Sequence, residues 1–475
     1  MLRNNKNYIV CSLLVVIMHS CVPTREVRDA EVIMPESYSN QIADTLTSAT
    51  VKWKDFFSDP ELKDLIDIAL VKNQELNIIL QQIAMVKNEI RVRKGEYLPS
   101  VNFNAGAEVE KVGEYTRNGA VEEGLDLDEE AFPDPLTNYS AGLFASWELD
   151  VWKKLRNSKK VAVMEYLATQ EGKNFMVTNL VSEIADAYYE LIALDNQLAI
   201  IEENLDIQKN ALRIVKLQKQ AARTTELAVK RFEAEVYKNR SERYEIKQEI
   251  VETENKINFL IGRQPVSINR NAIAFIEKEV DTVFTGIPAQ LLQYRPDIKQ
   301  VEYELAAAKL DVKVARANFY PSFGINAGVG LEAFKPKFLT ETPESLLYSL
   351  AGDVAGPLIN RNAIKAEYNS ANDRQLQVVY EYEKTILNAY IEVANELSNV
   401  QNLKLNYDLK IEQVDALNAS IEISNKLFQS ARADYMEVLL TQRDALEAKI
   451  ELVETKKNQL IARVGVYRAL GGGWN

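Results

Sequence analysis

A short phrase written twice constrains this chain more than any other feature. Pro99-Ser100-Val101-Asn102-Phe103-Asn104-Ala105-Gly106 returns as Pro321-Ser322-Phe323-Gly324-Ile325-Asn326-Ala327-Gly328, with five of the eight positions identical. A second strand-like segment follows each copy, beginning at Tyr139-Ser140 and at Tyr348-Ser349. Behind each pair lies a tract almost free of helix breakers: residues 151–261 hold one glycine, Gly172, and no proline, and residues 361–464 hold neither. Half of either tract makes a helix of roughly 80 Å at 1.5 Å per residue, too long for one compact core. The predicted unit is a helix, two strands and a long helical hairpin, present twice. The fold class is mainly α with a small β part, and the repeats divide as 53–265 and 266–475.

The strands are read from their period of two. Val101, Phe103, Ala105, Ala107 and Val109 alternate with Asn102, Asn104, Gly106, Glu108 and Glu110. Tyr139, Ala141, Leu143, Ala145 and Trp147 alternate with small or polar residues, Phe144 being the exception. In the second copy Phe323, Ile325, Ala327, Val329 and Leu331 oppose Gly324, Asn326, Gly328, Gly330 and Glu332. Tyr348, Leu350, Gly352 and Val354 oppose Ser349, Ala351, Asp353 and Ala355; a shift by one would bring Asp353 onto the apolar face. Four strands are too few for a membrane barrel, which takes about eight or more. Several copies joined together could close one, whereas a small soluble sheet over a core explains the alternation equally well. Ahead of the first strand, Leu62, Leu65, Ile66, Ala69 and Leu70 open a helical pattern that Pro60 starts, that runs to about Lys94, and that Gly95 and Pro99 end. The hairpin turns are expected near residues 222–227 and 433–438, flanked by coiled-coil packing.

Residues 1–20 read as a secretory signal, with Arg3 and Lys6, an apolar stretch from Ile9 to Met18, and Ser20 before Cys21. The junction resembles a lipobox, with His19 atypical, so Cys21 is the expected lipidation site and residues 21–52 a lipid-anchored extended segment. Cleavage removes Cys11 and the only histidine, and makes the formal net charge of −13 more negative. The mature chain then lacks the parts for a Ser-His or Cys-His nucleophile pair, a zinc site of the usual kind or an internal disulfide. No catalytic residue, metal or cofactor is expected. The acidic balance also argues against nucleic acid, which is bound through lysine and arginine. No later stretch reaches the ~18 to 20 apolar residues of a spanning helix, so a membrane would be crossed by strands. The first hairpin loop carries Glu122, Glu123, Asp126, Asp128, Glu129, Glu130 and Asp134 without the order of an EF-hand, and reads as a solvated loop.

Five further segments carry a family resemblance: Tyr294-Arg295-Pro296-Asp297-Ile298, Ala317-Asn318-Phe319-Tyr320-Pro321-Ser322, Trp147-Glu148-Leu149-Asp150, Gly356-Pro357-Leu358-Ile359-Asn360, and Tyr467-Arg468-Ala469-Leu470-Gly471-Gly472-Gly473-Trp474. In this order the chain resembles the TolC-like outer membrane efflux proteins, and within them the lipidated OprM- and NodT-like branch, from about Trp53 to Trp474. The resemblance implies a homotrimer with a 12-stranded outer membrane barrel and a long periplasmic helical barrel. It would be the passive exit duct of a tripartite pump, passing small molecules such as drugs or toxic compounds, with a periplasmic adaptor and an inner membrane RND-type transporter as partners. Val101, Phe103, Tyr139, Leu143, Trp147, Phe323, Ile325, Val329, Tyr348 and Leu350 would then face outer membrane lipid.

The resemblance also implies a periplasmic gate near the second hairpin turn, with an apolar ring and an acidic ring. Matched back from Trp474, the apolar position is Met436 and the acidic one Leu440, while Phe428 and Gln429 stand where relatives have a tyrosine and an arginine. The expected gate is therefore an apolar constriction of Met436 and Leu440 with Asp434 and Glu437 as substitute acids; alternatively, these residues pack within the hairpin. A lipid-anchored coiled-coil adaptor and a duct for type I protein secretion remain as alternative functions.

Overall fold

The computed structural model describes residues 27–38 and 46–475, apart from 128, 129, 132, 273, 274, 279, 281, 282, 358 and 431. The signal segment and Cys21 lie outside the described residues. Seven long helices and four long strands carry the fold: α1 (Pro60–Lys72), α2 (Gln74–Tyr97), β1 (Ser100–Glu110), β2 (Leu136–Leu149), α3 (Lys154–Gln220), α4 (Glu226–Leu260), α5 (Pro296–Ala317), β3 (Ser322–Ala333), β4 (Leu346–Ala355), α6 (Asn362–Gln429) and α7 (Tyr435–Ala469). The duplicated plan is thus present, and closely matched: hairpin helices of 67 and 35 residues in the first copy, 68 and 35 in the second.

Three details depart from the sequence expectation. The helix expected to run from Pro60 to about Lys94 is broken at Asn73. This buried side chain donates to the Leu260 carbonyl (2.8 Å) and accepts from the Leu76 amide (2.8 Å), so it caps the start of α2 instead of continuing α1. Gly95 does not end α2, which continues to Tyr97. The first hairpin turn lies where expected, between Gln220 and Glu226, but the second comes a few residues early. Tyr435, Met436, Glu437 and Val438 already form the first turn of α7.

The chain divides into two compact units. One comprises residues 84–167 and 303–380 with the described part of 1–29, and holds the sheet. Its four strands are antiparallel in the order β1-β2-β3-β4. Helix ends are tied to the sheet by polar atoms of aromatic residues: Trp147 Nε1 donates to the Tyr97 carbonyl (3.1 Å), and Trp152 Nε1 to the Pro321 carbonyl (2.7 Å) while its ring stacks on Tyr320 at 4.5 Å. Asp150 accepts from the Leu155 and Arg156 amides, both at 3.0 Å, placing a carboxylate at the positive end of α3.

The other unit comprises residues 30–83, 168–302 and 381–475 and contains the main apolar core. Phe57, Leu62, Ile66, Ile184, Tyr188, Leu191, Ile257 and Tyr467 are almost fully buried there. Tyr467 stacks on Phe56 at 3.9 Å and donates to the Val51 carbonyl at 2.5 Å, tying the last helix to the segment ahead of α1. Gly471, at φ 90°, ends α7 in the left-handed region, where a side chain would meet the Tyr294 carbonyl at 2.7 Å.

Candidate functional site

The sheet is the first candidate site because, among the described residues, nothing packs over either of its faces. Register fixes which residues share a face. Phe103 pairs with Leu143, Leu143 with Val329 and Val329 with Tyr348, so four apolar side chains form one row across the sheet. The next row is Val101, Ala145, Ala327 and Leu350. Tyr139, Trp147, Phe323 and Ile325 alternate onto the same side. All ten residues marked in the sequence therefore lie on one face. Seven of them are exposed, Phe103 at 67% and Tyr348 at 78%, while Tyr139, Phe323 and Ile325 are half-buried. An uncovered apolar face of this extent marks a surface made for an apolar environment.

The opposite face is polar. It carries Glu108, Glu110, Glu148, Glu332 and Asp353, and none of the four strands contains a lysine, arginine or histidine. Asp353 lies over Gly324 and accepts from Asn326 Nδ2 at 2.9 Å; Glu332 accepts from Asn138 Nδ2 at 2.7 Å. Among the described residues β1 and β4 each have a partner on one side only, leaving two free edges of 11 and 10 residues. Long free edges invite pairing with another chain.

The second candidate is the pair of hairpin tips, which meet each other. Val215, Ala228, Val229, Phe232 and Leu439 form a buried cluster there, with Tyr435 and Met436 packed against it. Met436 is half-buried, and its sulfur accepts from Arg231 Nη1 at 3.4 Å. Leu440, Asp434 and Glu437 are exposed, and neither acid forms an ion pair among the described residues. On the first tip, Lys216 and Lys230 each donate to Glu233 (2.9 Å) and hold its carboxyl down at about 2. Arg231 carries no family signal in the sequence, and only the meeting of the tips brings it to Met436.

Among the described residues, no three His, Cys, Asp or Glu side chains are placed to hold a metal, and no helix is long and apolar enough to cross a membrane. Of the acidic first loop, Asp128 and Glu129 lie outside the described residues.

The comparisons agree with this geometry. The family model for outer membrane efflux proteins matches residues 65–263 and 287–472. The chain is 26% identical to the pyoverdine export outer membrane protein OpmQ of Pseudomonas aeruginosa over 467 residues, 96% of this chain and 95% of that one. It is 26% identical to the probable outer membrane lipoprotein SilC of Salmonella typhimurium, covering 89% and 88%. In fold it resembles the open state of the MtrE outer membrane channel of Neisseria gonorrhoeae, with a TM-score of 0.83, 21% identity and coverage of 96% and 98%. With its duplicated helix-strand-strand-hairpin plan matched from residue 65 to residue 472, the chain belongs to the outer membrane efflux protein family.

Proposed function

We propose that three copies of this chain form the outer membrane exit duct of a tripartite efflux pump. The observation that carries this reading is the sheet: one apolar face, one polar face and, among the described residues, no cover on either and no partner at its two edges. In a bilayer every backbone group must find a partner, so an open four-stranded sheet cannot stand alone. Pairing β4 of one copy with β1 of the next closes twelve strands, with Val101, Phe103, Tyr139, Leu143, Trp147, Phe323, Ile325, Val329, Tyr348 and Leu350 toward lipid and the carboxylates toward water. Trp147 and Tyr139, towards opposite ends of β2, supply amphipathic rings that settle at membrane interfaces. The helical hairpins form the periplasmic part and meet a periplasmic adaptor, through which an inner membrane RND-type transporter delivers cargo. Acylated Cys21 adds an anchor, in keeping with the lipoprotein name of SilC. The name of OpmQ, a pyoverdine export protein, supports small molecules as cargo.

The periplasmic end narrows at the second hairpin tip. Leu440, exposed one turn after Met436, forms the apolar ring; Asp434 and Glu437 form an acidic rim, and the Arg231 contact holds Met436 in place. Hydrophobic constrictions gate by dewetting, so Leu440→Ser should raise single-channel conductance in planar bilayers by about twofold or more, with a smaller rise for Met436→Ala. Conductance unchanged in both variants would contradict the gate. Absence of any channel from the wild-type protein would contradict the duct.

A further inference from the structure

Phe144 breaks the alternation of β2: it is an aromatic residue on the polar face. Its cross-strand neighbours are Asn102 on β1 and Gly328 on β3, and along its own strand Gly142 and Ser146 share the face. Gly142, Gly328 and Ser146 leave the ring space to lie down, and it does. A methyl group built on Gly328 would fall 2.9 Å from Phe144 Cδ1 and 3.1 Å from Cε1, and one built on Gly142 would fall 3.3 Å from Cε2. Contact at these distances means that the ring rests on the glycines. Burial agrees: Phe144 is half-buried on a face that no other described element covers, whereas Phe103, in the same sheet, is 67% exposed. Ring and glycine form a cross-strand pair in which the aromatic side chain covers backbone that no Cβ shields.

We propose that Gly328 is a positioning residue that keeps Phe144 flat against the wall of the conduit, and that Phe144 sets the size of molecule that passes at this level. The inference rests on the reading of the polar face as the lumen of a duct. A β-carbon at position 328 cannot share the space with Cδ1 of the ring, since real Cβ contacts do not come so close. Ser349 Oγ, also 2.9 Å from that methyl, can rotate aside, but the ring has only χ1 and χ2 with which to move. The ring must give way, and the open side of this face is the lumen. Three displaced rings, one from each copy, would narrow the passage at a single level while leaving the lipid face and the strand register as they are.

The test uses Asn102, which faces Phe144 across the β1–β2 pair. In the acylated mature protein an Asn102→Cys variant carries the one free thiol. Intact cells are treated from outside with a small maleimide and with a bulky polymer-linked maleimide, in N102C, N102C/G328A, N102C/F144A and N102C/F144A/G328A. The expected result is that G328A slows the bulky reagent and leaves the small one unchanged, and that adding F144A restores the bulky rate. An unchanged bulky rate in G328A, or slowing that F144A does not reverse, would overturn the proposal. If G328A fails to assemble, the double variant decides: recovered assembly identifies the ring as the obstacle, and continued failure overturns the proposal. If the thiol introduced by N102C reacts with neither reagent in any background, the polar face does not line an aqueous lumen, and the duct reading falls together with the proposal.

Discussion

Val329→Arg is expected to remove this protein from the outer membrane. Val329 lies in the middle of the apolar row Phe103-Leu143-Val329-Tyr348 and is 50% exposed, with no other described element over it. An arginine at the midplane of a membrane barrel costs about 2–4 kcal/mol. A trimer incurs that cost three times, a large fraction of the few kcal/mol by which proteins are stable. The control is Ala351→Arg on the neighbouring strand. Ala351 alternates onto the polar face, opposite Asn326 and two residues from Asp353, where a guanidinium meets water and a carboxylate. Fractionated membranes should contain A351R at wild-type levels and little or no V329R. Equal amounts of the two would show that the apolar face does not meet lipid.

The second large effect is expected at Arg295. This residue is 4% exposed, and its guanidinium makes four hydrogen bonds: Nε and Nη2 fork onto the two oxygens of Asp297 at 3.0 and 2.6 Å, while Nη1 reaches Glu392 at 2.7 Å and the Ala469 carbonyl at 2.8 Å. One planar group thereby joins the start of α5, the middle of α6 and the C-terminus of α7, where a cation also suits the helix dipole. Arg295→Ala leaves two carboxylates facing each other and a helix-end carbonyl without its donor. Loss of one partner from a fully buried set costs about 3–5 kcal/mol; here the Glu392 side chain is 45% exposed and Asp297 16%, so water takes up part of the loss and the cost falls below that range. Arg295→Lys should recover only part of it, since an ammonium cannot make the fork. Thermal unfolding of the detergent-extracted protein should rank wild type above R295K and R295K above R295A. An R295A transition at the wild-type temperature would show that the network contributes nothing.

The strand faces were legible because side chains in a strand alternate without exception, so a period of two with Asp353 on the right side leaves one register. The duplication was legible because Pro99 and Pro321 mark the same joint in both copies. The break at Asn73 was not. In sequence this asparagine lies within an unbroken helical pattern, and its role depends on the Leu260 carbonyl, far away along the chain. The sequence places the second hairpin turn a few residues late, because Tyr435 to Val438 already wind as the first turn of α7. The first hairpin turn contains neither glycine nor proline; Ala222 takes the left-handed conformation at φ 59°, a position usually given to glycine. The contact between Arg231 and Met436 belongs to the tips of two different hairpins, and periodicity within either one says nothing about it. Phe144 stood out as an exception, but its meaning required the position of Gly328 across the strand pair.

The most direct test of the account is the symmetry of the assembled particle. Single-particle imaging of the detergent-extracted protein should show threefold symmetry and a closed ring of twelve strands, in which β4 of each copy pairs with β1 of the next. A monomer with an open four-stranded sheet, or an assembly that leaves those edges unpaired, would contradict it.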